Sequence, residues 1–268
     1  MTAGALGAAA IGGVAGYSYW ESGNLEIRTL SVALKGLPAG FKGCRVALLT
    51  DLHHSFFISR EYIEKAVSLT NSLDPDIILL AGDYINDDAA YIVPVMEELH
   101  KLHAPLGVFA VQGNRDIRVN RMLVSRELAR NGIRELTNKG CWIERGGSRI
   151  WLCGMDDFTL GHPDAKAALK GASDGATILA LTHNPHFADF LEDPRIMLVL
   201  SGHTHGGQIN LPFLGRPFIP KGCGNYPAGL AQAPHTKVFV SVGVGSVFPP
   251  LRLGCPPEVA LLTLESDN

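Results

Sequence analysis

Asp51 and His53 stand two apart in the segment LLTDLHH, directly after an apolar run. The arrangement recurs along the chain. Asp83 follows an apolar run in LLAGDYIN, Asn114 in AVQGNRD, His183 in LALTHNPH, and His203 with His205 in LVLSGHTHGGQ. These side chains offer oxygen and imidazole nitrogen but no thiolate, a donor set for hard and borderline divalent cations. Seven such groups are too many for one tetrahedral zinc and suit two ions that share a carboxylate. Side chains two apart point the same way in extended backbone, so Asp51 and His53 can serve one cavity, as can His203 and His205. Gly202, Gly206 and Gly207 let the backbone turn tightly enough to feed both of the latter rings inward. Taken singly, each piece is ordinary. A D-x-H is often a capping Asp beside a surface His, and a Gly-Asn-Arg-Asp is most often a strand-ending turn, here with the amide of Asn114 and solvated charges at Arg115 and Asp116. The occurrence of all five pieces in order, each behind an apolar run, singles them out.

The spacing says which elements must hold them. Asp83 lies 32 residues after Asp51, and Asn114 lies 31 after Asp83, each interval about one strand-helix-strand unit. Apolar runs of strand length fall at 45–50, 77–81, 107–111, 177–182 and 196–200, with helix-like stretches at 60–73, 89–103 and 119–131. Short buried strands alternating with helices predict an α/β sheet, partly parallel. Parallel strands joined by crossover helices end on one edge, where open α/β sheets place their sites. A second group of strands, 132–136, 141–145, 149–153, 237–243 and 258–264, is less separated by helices and predicts a second sheet. The expected architecture is α/β, a two-sheet sandwich flanked by helices, forming one domain over residues 23–268.

Composition narrows the function. The 268 residues are 46% hydrophobic, ample for a large core. A net charge of −3 and a pI near 6.4 leave no basic footprint, and no nucleic-acid partner is expected. Five scattered cysteines without a C-x-x-C spacing predict buried free thiols rather than disulfides or a Cys-rich zinc site. The first twenty residues carry no charge and end in Tyr17, Tyr19 and Trp20. Residues 1–22 therefore read as a membrane anchor or export signal, against an Ala- and Gly-rich arm packed loosely on the domain. The expected location is the inner membrane or beyond it. His54 is expected beside the site or at the surface, His100 and His103 on a helix surface, and His186 outside the ligand set. Tyr84, Asn86 and Asn225 are candidate substrate contacts. The segments 54–60, 211–222 and 247–254 are apolar with a few basic residues, and read either as ordinary core edge or as an apolar lip for an acyl chain or membrane surface.

The five motifs together resemble the calcineurin-like metallophosphoesterases, over residues 40–265, with D-x-H, G-D, G-N-H-D/E, a lone H and G-H-x-H in that order. The tail VSVGVGSVFPPLRLGCPPEVALLTL resembles an exported or membrane-anchored bacterial subgroup. The resemblance implies one metal on Asp51, His53, Asp83 and His205, a second on Asp83, Asn114, His183 and His203, and Asp83 as the bridge. Oxygen and imidazole donors make Mn²⁺ the first choice, with Fe, Zn, Mg or Co as alternatives, and the resemblance implies hydrolysis of a phosphate ester or anhydride in a small-molecule or lipid substrate. Asn114, Arg115 and His203 are the residues expected to act on the phosphoryl group. The chain departs from the family at Arg115, where a His is usual. Arginine cannot donate a proton near neutral pH but is a permanent cation with a fork of donors for phosphate. The same G-N-R-D occurs in UDP-2,3-diacylglucosamine pyrophosphatases, so a lipid-linked diphosphate is the finer expectation. A general phosphodiesterase or phosphatase, or a non-catalytic metal-binding module on the same fold, are the alternatives.

Overall fold

The computed structural model of the protein describes residues 3–267. Two six-stranded sheets carry the domain. The strands are β1 (Glu26–Lys35), β2 (Arg45–Leu49), β3 (Ile77–Leu80), β4 (Val108–Ala110), β5 (Arg134–Glu135), β6 (Lys139–Arg145), β7 (Ser148–Gly154), β8 (Ile178–Leu181), β9 (Ile196–Ser201), β10 (Gly229–Gln232), β11 (Lys237–Val240) and β12 (Glu258–Asp267). The helices are α1 (Ala3–Ser22), α2 (Arg60–Ser72), α3 (Ile92–Leu99), α4 (Asn114–Arg130) and the single turn α5 (Ala165–Ala168). The first sheet runs β1-β12-β2-β3-β4-β5 and the second β10-β11-β9-β8-β7-β6.

The α/β sandwich is as expected, but the strands divide between the sheets differently. Residues 134–135 and 258–267 belong to the first sheet, while β8 and β9 lie at the centre of the second. Hydrophobic pattern reports that a strand is buried, not which strand it pairs with, and β12 closes a long-range pairing between β1 and β2. The strand at 26–35 lies outside both predicted groups.

Alternation along each central strand explains the layers. Val46, Leu48, Ile77 and Leu79 face Leu179, Leu181, Leu198 and Leu200 in the core between the sheets. Their neighbours Ala47, Leu49, Ile78 and Leu80 face Ile63 of α2, Val95 of α3 and Val124 of α4. Both faces are covered, so these strands read as continuous apolar runs rather than alternating ones. The outer face of the second sheet packs Trp151, Ile178 and Val199 against Phe187 and Ala188 of the 185–190 turn.

Helix boundaries follow local chemistry. Ser59 caps α2 by accepting the Tyr62 N–H. α4 begins at Asn114, five residues earlier than expected, because Asp116 reaches back to the Gly113 N–H at 2.9 Å. Asn120 then breaks the helical backbone (φ −168°, ψ 82°) and its side chain accepts the Leu123 N–H, so the expected 119–131 stretch is the second segment of a kinked helix. The end of α1 is docked rather than loose. Glu21 is buried and accepts the backbone N–H groups of Gly254 (3.1 Å) and Cys255 (2.7 Å). Among the described residues, no helix is long and apolar enough to cross a membrane. All five cysteines are buried and free.

Candidate metal centre

Strands β2, β3 and β4 are parallel, as are β8 and β9, so their C-terminal ends gather at one end of the sandwich. The residues following them are Asp51 and His53, Asp83, Asn114, His183, and His203 with His205. Turning these chains sharply puts unusual backbone at the site. Asp51, His53, Asp83, His203 and His205 all have φ between 49° and 70°. That left-handed conformation costs a non-glycine residue about 1–2 kcal/mol, and its concentration on five polar residues at one edge marks the site.

The side chains converge. Nε2 of His53 and Nε2 of His205 are 3.0 Å apart, and Asp51 Oδ1 lies 3.6 Å from the first and 3.4 Å from the second. Asp83 Oδ2 lies 3.6 Å from His53 Nε2 and 3.4 Å from His183 Nε2. His183 Nε2 in turn lies 3.2 Å from Asn114 Oδ1 and 3.1 Å from His203 Nδ1. Two buried groups result, Asp51–His53–His205 and Asp51–Asp83–His183, each with donor atoms close enough to share an ion. Both carboxylates stand between the groups. Asp51 Oδ1 is buried without a hydrogen-bond partner, a costly state for a carboxylate oxygen unless a cation meets it. His183 donates Nδ1–H to the Ala81 carbonyl (2.7 Å), which fixes the ring and aims Nε2 at Asp83 and Asn114. The residues thus fit a dinuclear metal site.

The electrostatics fit as well. Burial works to raise Asp51 and Asp83, yet His205 and His53 hold Asp51 well below the usual carboxylate range, and His183 and His53 hold Asp83 at about 2. Burial works to lower His183, but Asp83, Asp51 and Asp157 raise it well above the ordinary imidazole value. Burial, reinforced by neighbouring imidazoles, pushes His205 far down and His203 to about 4.

A supporting layer holds these groups. Thr50 Oγ1 and the His203 N–H both donate to Asp51 Oδ2 at 2.8 Å. Asp116 is fully buried and accepts the N–H groups of Asp83 (2.7 Å), Tyr84 (3.0 Å) and Gly113 (2.9 Å). Burial and the adjacent Asp83 push its pKa up to about 8, against the pull of those N–H donors. It is not the solvated turn charge that the motif alone allowed. A side chain at Gly202 would collide with Thr50 and Asp51, and one at Gly113 with Asp83.

Other expectations resolve by position. His54 is buried away from the cluster, its Nδ1 2.8 Å from the Ile58 carbonyl. His186 pairs with Asp189 and packs on Phe158, outside the ligand set. His100 and His103 are exposed. Tyr84 does not face the site: it is 1% exposed and donates its hydroxyl to the Val111 carbonyl, because Leu52, Ile85 and the helices enclose its ring. Asn86 is half-buried with an unpartnered Oδ1, and Asn225 is exposed. Arg115 donates its backbone N–H to Asp83 Oδ1 (2.8 Å), while its half-buried guanidinium enters none of the ion pairs among the described residues.

Residues that the motifs did not flag complete the site. Arg252 is fully buried and donates to the carbonyls of Val242, Gly243 and Cys255 and to Ser246 Oγ. It folds the 242–246 loop so that the Val244 and Gly245 N–H groups donate to the Thr50 and Asp51 carbonyls (3.0 and 2.7 Å). Its signal in the sequence is the tail VSVGVGSVFPPLRLGCPPE, in which it follows the Gly-rich stretch.

Residues 44–207 match the Calcineurin-like phosphoesterase family. The chain belongs to that family, and with its buried Asp/His groups it is a metallophosphoesterase, a hydrolase. It is 33% identical over 278 aligned residues to the metallophosphoesterase YkuE of Bacillus subtilis, covering 98% of this chain and 94% of that protein. It is 34% identical over 255 residues to the phosphodiesterase YaeI of Escherichia coli, covering 92% and 90%. Among solved structures, the protein TT1561 of Thermus thermophilus superposes with a TM-score of 0.51 at 16% identity over 75% of this chain and 89% of that one, a likeness of fold.

Proposed function

We propose that Asp51, His53, Asp83, Asn114, His183, His203 and His205 hold two divalent ions, Mn²⁺ by preference, and that the chain hydrolyses a phosphodiester or phosphoanhydride. The observation that carries this reading is the convergence of orphaned Asp51 Oδ1 with the Nε2 atoms of His53 and His205. Bound there, the ions supply a nucleophile from water at neutral pH and neutralise phosphoryl oxygens. The protein's own groups do the rest. Asp51 and Asp83 would supply the carboxylate ligands to the ions. Asn114, at the start of α4, and His203 orient the phosphoryl group, and the Arg115 guanidinium stabilises charge on the leaving oxygen without giving it a proton. A leaving group that needs no proton is the phosphate of a diphosphate, which supports a lipid-linked diphosphate such as UDP-2,3-diacylglucosamine as the finer substrate class. The relative YaeI, called a phosphodiesterase, supports the broader class. The exposed rings of Tyr17, Tyr19 and Trp20 on α1 support attachment at a membrane interface, on either the cytoplasmic or the exported side.

The test is turnover of a panel of phosphodiesters and nucleoside-diphosphate lipids by protein stripped of metal and reconstituted with single ions. The expected result is activity that follows a stoichiometry of two ions per chain. Turnover that survives exhaustive chelation refutes the assignment.

A further inference from the structure

A cavity of about 400 Å³ opens beside the metal centre, with His205 in its wall. Most of the rest of the wall is apolar: Ile209, Phe218, Val247, Phe248 and Leu251, with prolines at 220 and 249. Two other polar residues line it, and both are already engaged. Gln208 donates to the carbonyls of Val247, Pro249 and Leu251 at 3.1–3.3 Å and accepts the Val247 N–H at 2.6 Å. Thr204 donates to the Pro227 carbonyl (2.8 Å) and accepts the Gly206 N–H (3.1 Å). His205 is therefore the one polar group of the wall that serves another purpose, and it belongs to the Asp51–His53–His205 group.

The cavity is built to be there. Gln208 has a left-handed backbone (φ 58°), and its amide ties the 247–251 segment into a wall opposite residues 218–220. Around the mouth, Phe248 is 74% and Phe218 66% exposed, and the ring of Phe57 stands 5.8 Å from that of Phe248. Ligand pockets are typically apolar with a few placed polar groups at the reacting end. This one is mostly apolar and shares one wall residue, His205, with the metal cluster.

We propose that the cavity seats an aliphatic chain, alkyl or acyl, carried by the phosphoester that the metal centre hydrolyses. The proposal rests on the phosphoesterase reading and adds the place in the fold where the substrate's aliphatic part is seated. Continuity with the metal centre argues for the occupant, since His205 belongs both to the cavity wall and to the Asp51–His53–His205 group, so a chain seated here lies next to the groups that would hold the ions. At about 30 Å³ for a water-sized group, the volume holds roughly a dozen methylene-sized groups.

The experiment is calorimetric binding of n-alkylphosphonates, methyl to dodecyl, to the Mn²⁺-loaded full-length protein, with phenylphosphonate for comparison. Burying one methylene is worth about a fourfold gain in affinity. Affinity should climb by that factor per carbon through about octyl and flatten near dodecyl, with a negative heat-capacity change. Leu251→Trp and Val247→Phe, which fill the cavity, should flatten the climb within each variant's own series. Chain-length-independent binding by the wild type overturns the proposal, as does phenylphosphonate outbinding every alkyl member, or an undiminished climb in both filled variants. These readouts do not depend on turnover. A metal-loaded protein with the chain-length climb but no hydrolysis of any alkyl phosphodiester or nucleoside-diphosphate lipid sinks the catalytic reading and leaves the apolar site standing.

Discussion

Glu21 ties the N-terminal helix to the segment that backs the metal centre, and Glu21→Ala tests that tie. The carboxylate is 3% exposed and accepts the N–H groups of Gly254 and Cys255. Cys255 is buried, and its thiol lies 3.5 Å from the His205 carbonyl. A hydrogen bond to a charged group contributes about 1.5–3 kcal/mol. Gly254 is exposed, so water replaces most of its bond, whereas the Cys255 N–H has nothing to replace the carboxylate. Counting the second bond fully and the first in part gives about 2–4 kcal/mol. The loss has a ceiling, because α1 can leave the domain and expose residues 252–255 to water. The expected outcome is therefore a fall in Tm of roughly 5–10 °C, with amide exchange at Cys255 accelerated more than exchange in β8. Glu21→Gln keeps an acceptor and should lose about half as much. A Tm within about 1 °C of wild type, with Cys255 exchange unchanged, would refute the docked helix. Deleting residues 1–22 should act in the same direction, so the N-terminal segment is part of the domain's stability whatever it does outside it.

Three further outcomes bear on the site. Arg115→His should lose activity on a nucleoside-diphosphate lipid and gain relatively on an alkyl phosphodiester, by a factor toward the roughly 10²–10⁴ that an acid typically supplies; equal kcat/KM ratios in wild type and variant would detach Arg115 from the leaving group. Gly202→Ala drives a methyl group into Thr50 and Asp51, and should cost about 1–3 kcal/mol of stability and weaken Mn²⁺ binding by calorimetry, whereas wild-type affinity would mean the turn has room to relax. Arg252→Lys cannot reach the several carbonyls that one guanidinium serves; it should loosen the 242–246 loop and lower metal affinity with kcat on fully loaded protein little changed, and unchanged affinity would show that the loop does not seat Asp51.

The residues that converge at the sheet edge could be picked out in the sequence, because a parallel strand ends where its apolar run ends and the next residue must face the sheet edge. Asp51, Asp83, Asn114 and His183 were legible for that reason, and the alternation of strands and helices made the sandwich legible with them. The sequence by itself could not say which sheet β8, β9 and β12 join, since pairing is decided by which edges meet when the chain closes on itself. Nor could it separate Asp116, buried under three N–H donors, from a solvated turn charge, because both are an Asp three residues past a Gly. Tyr84, directly after Asp83, looked like a substrate contact until the helices closed over it. The apolar segments 211–222 and 247–254 carried no periodicity that placed them together. Only folding brings Phe218 and Leu251 to opposite walls beside His205, since contact between loops thirty residues apart depends on where β9 and β11 deliver their ends.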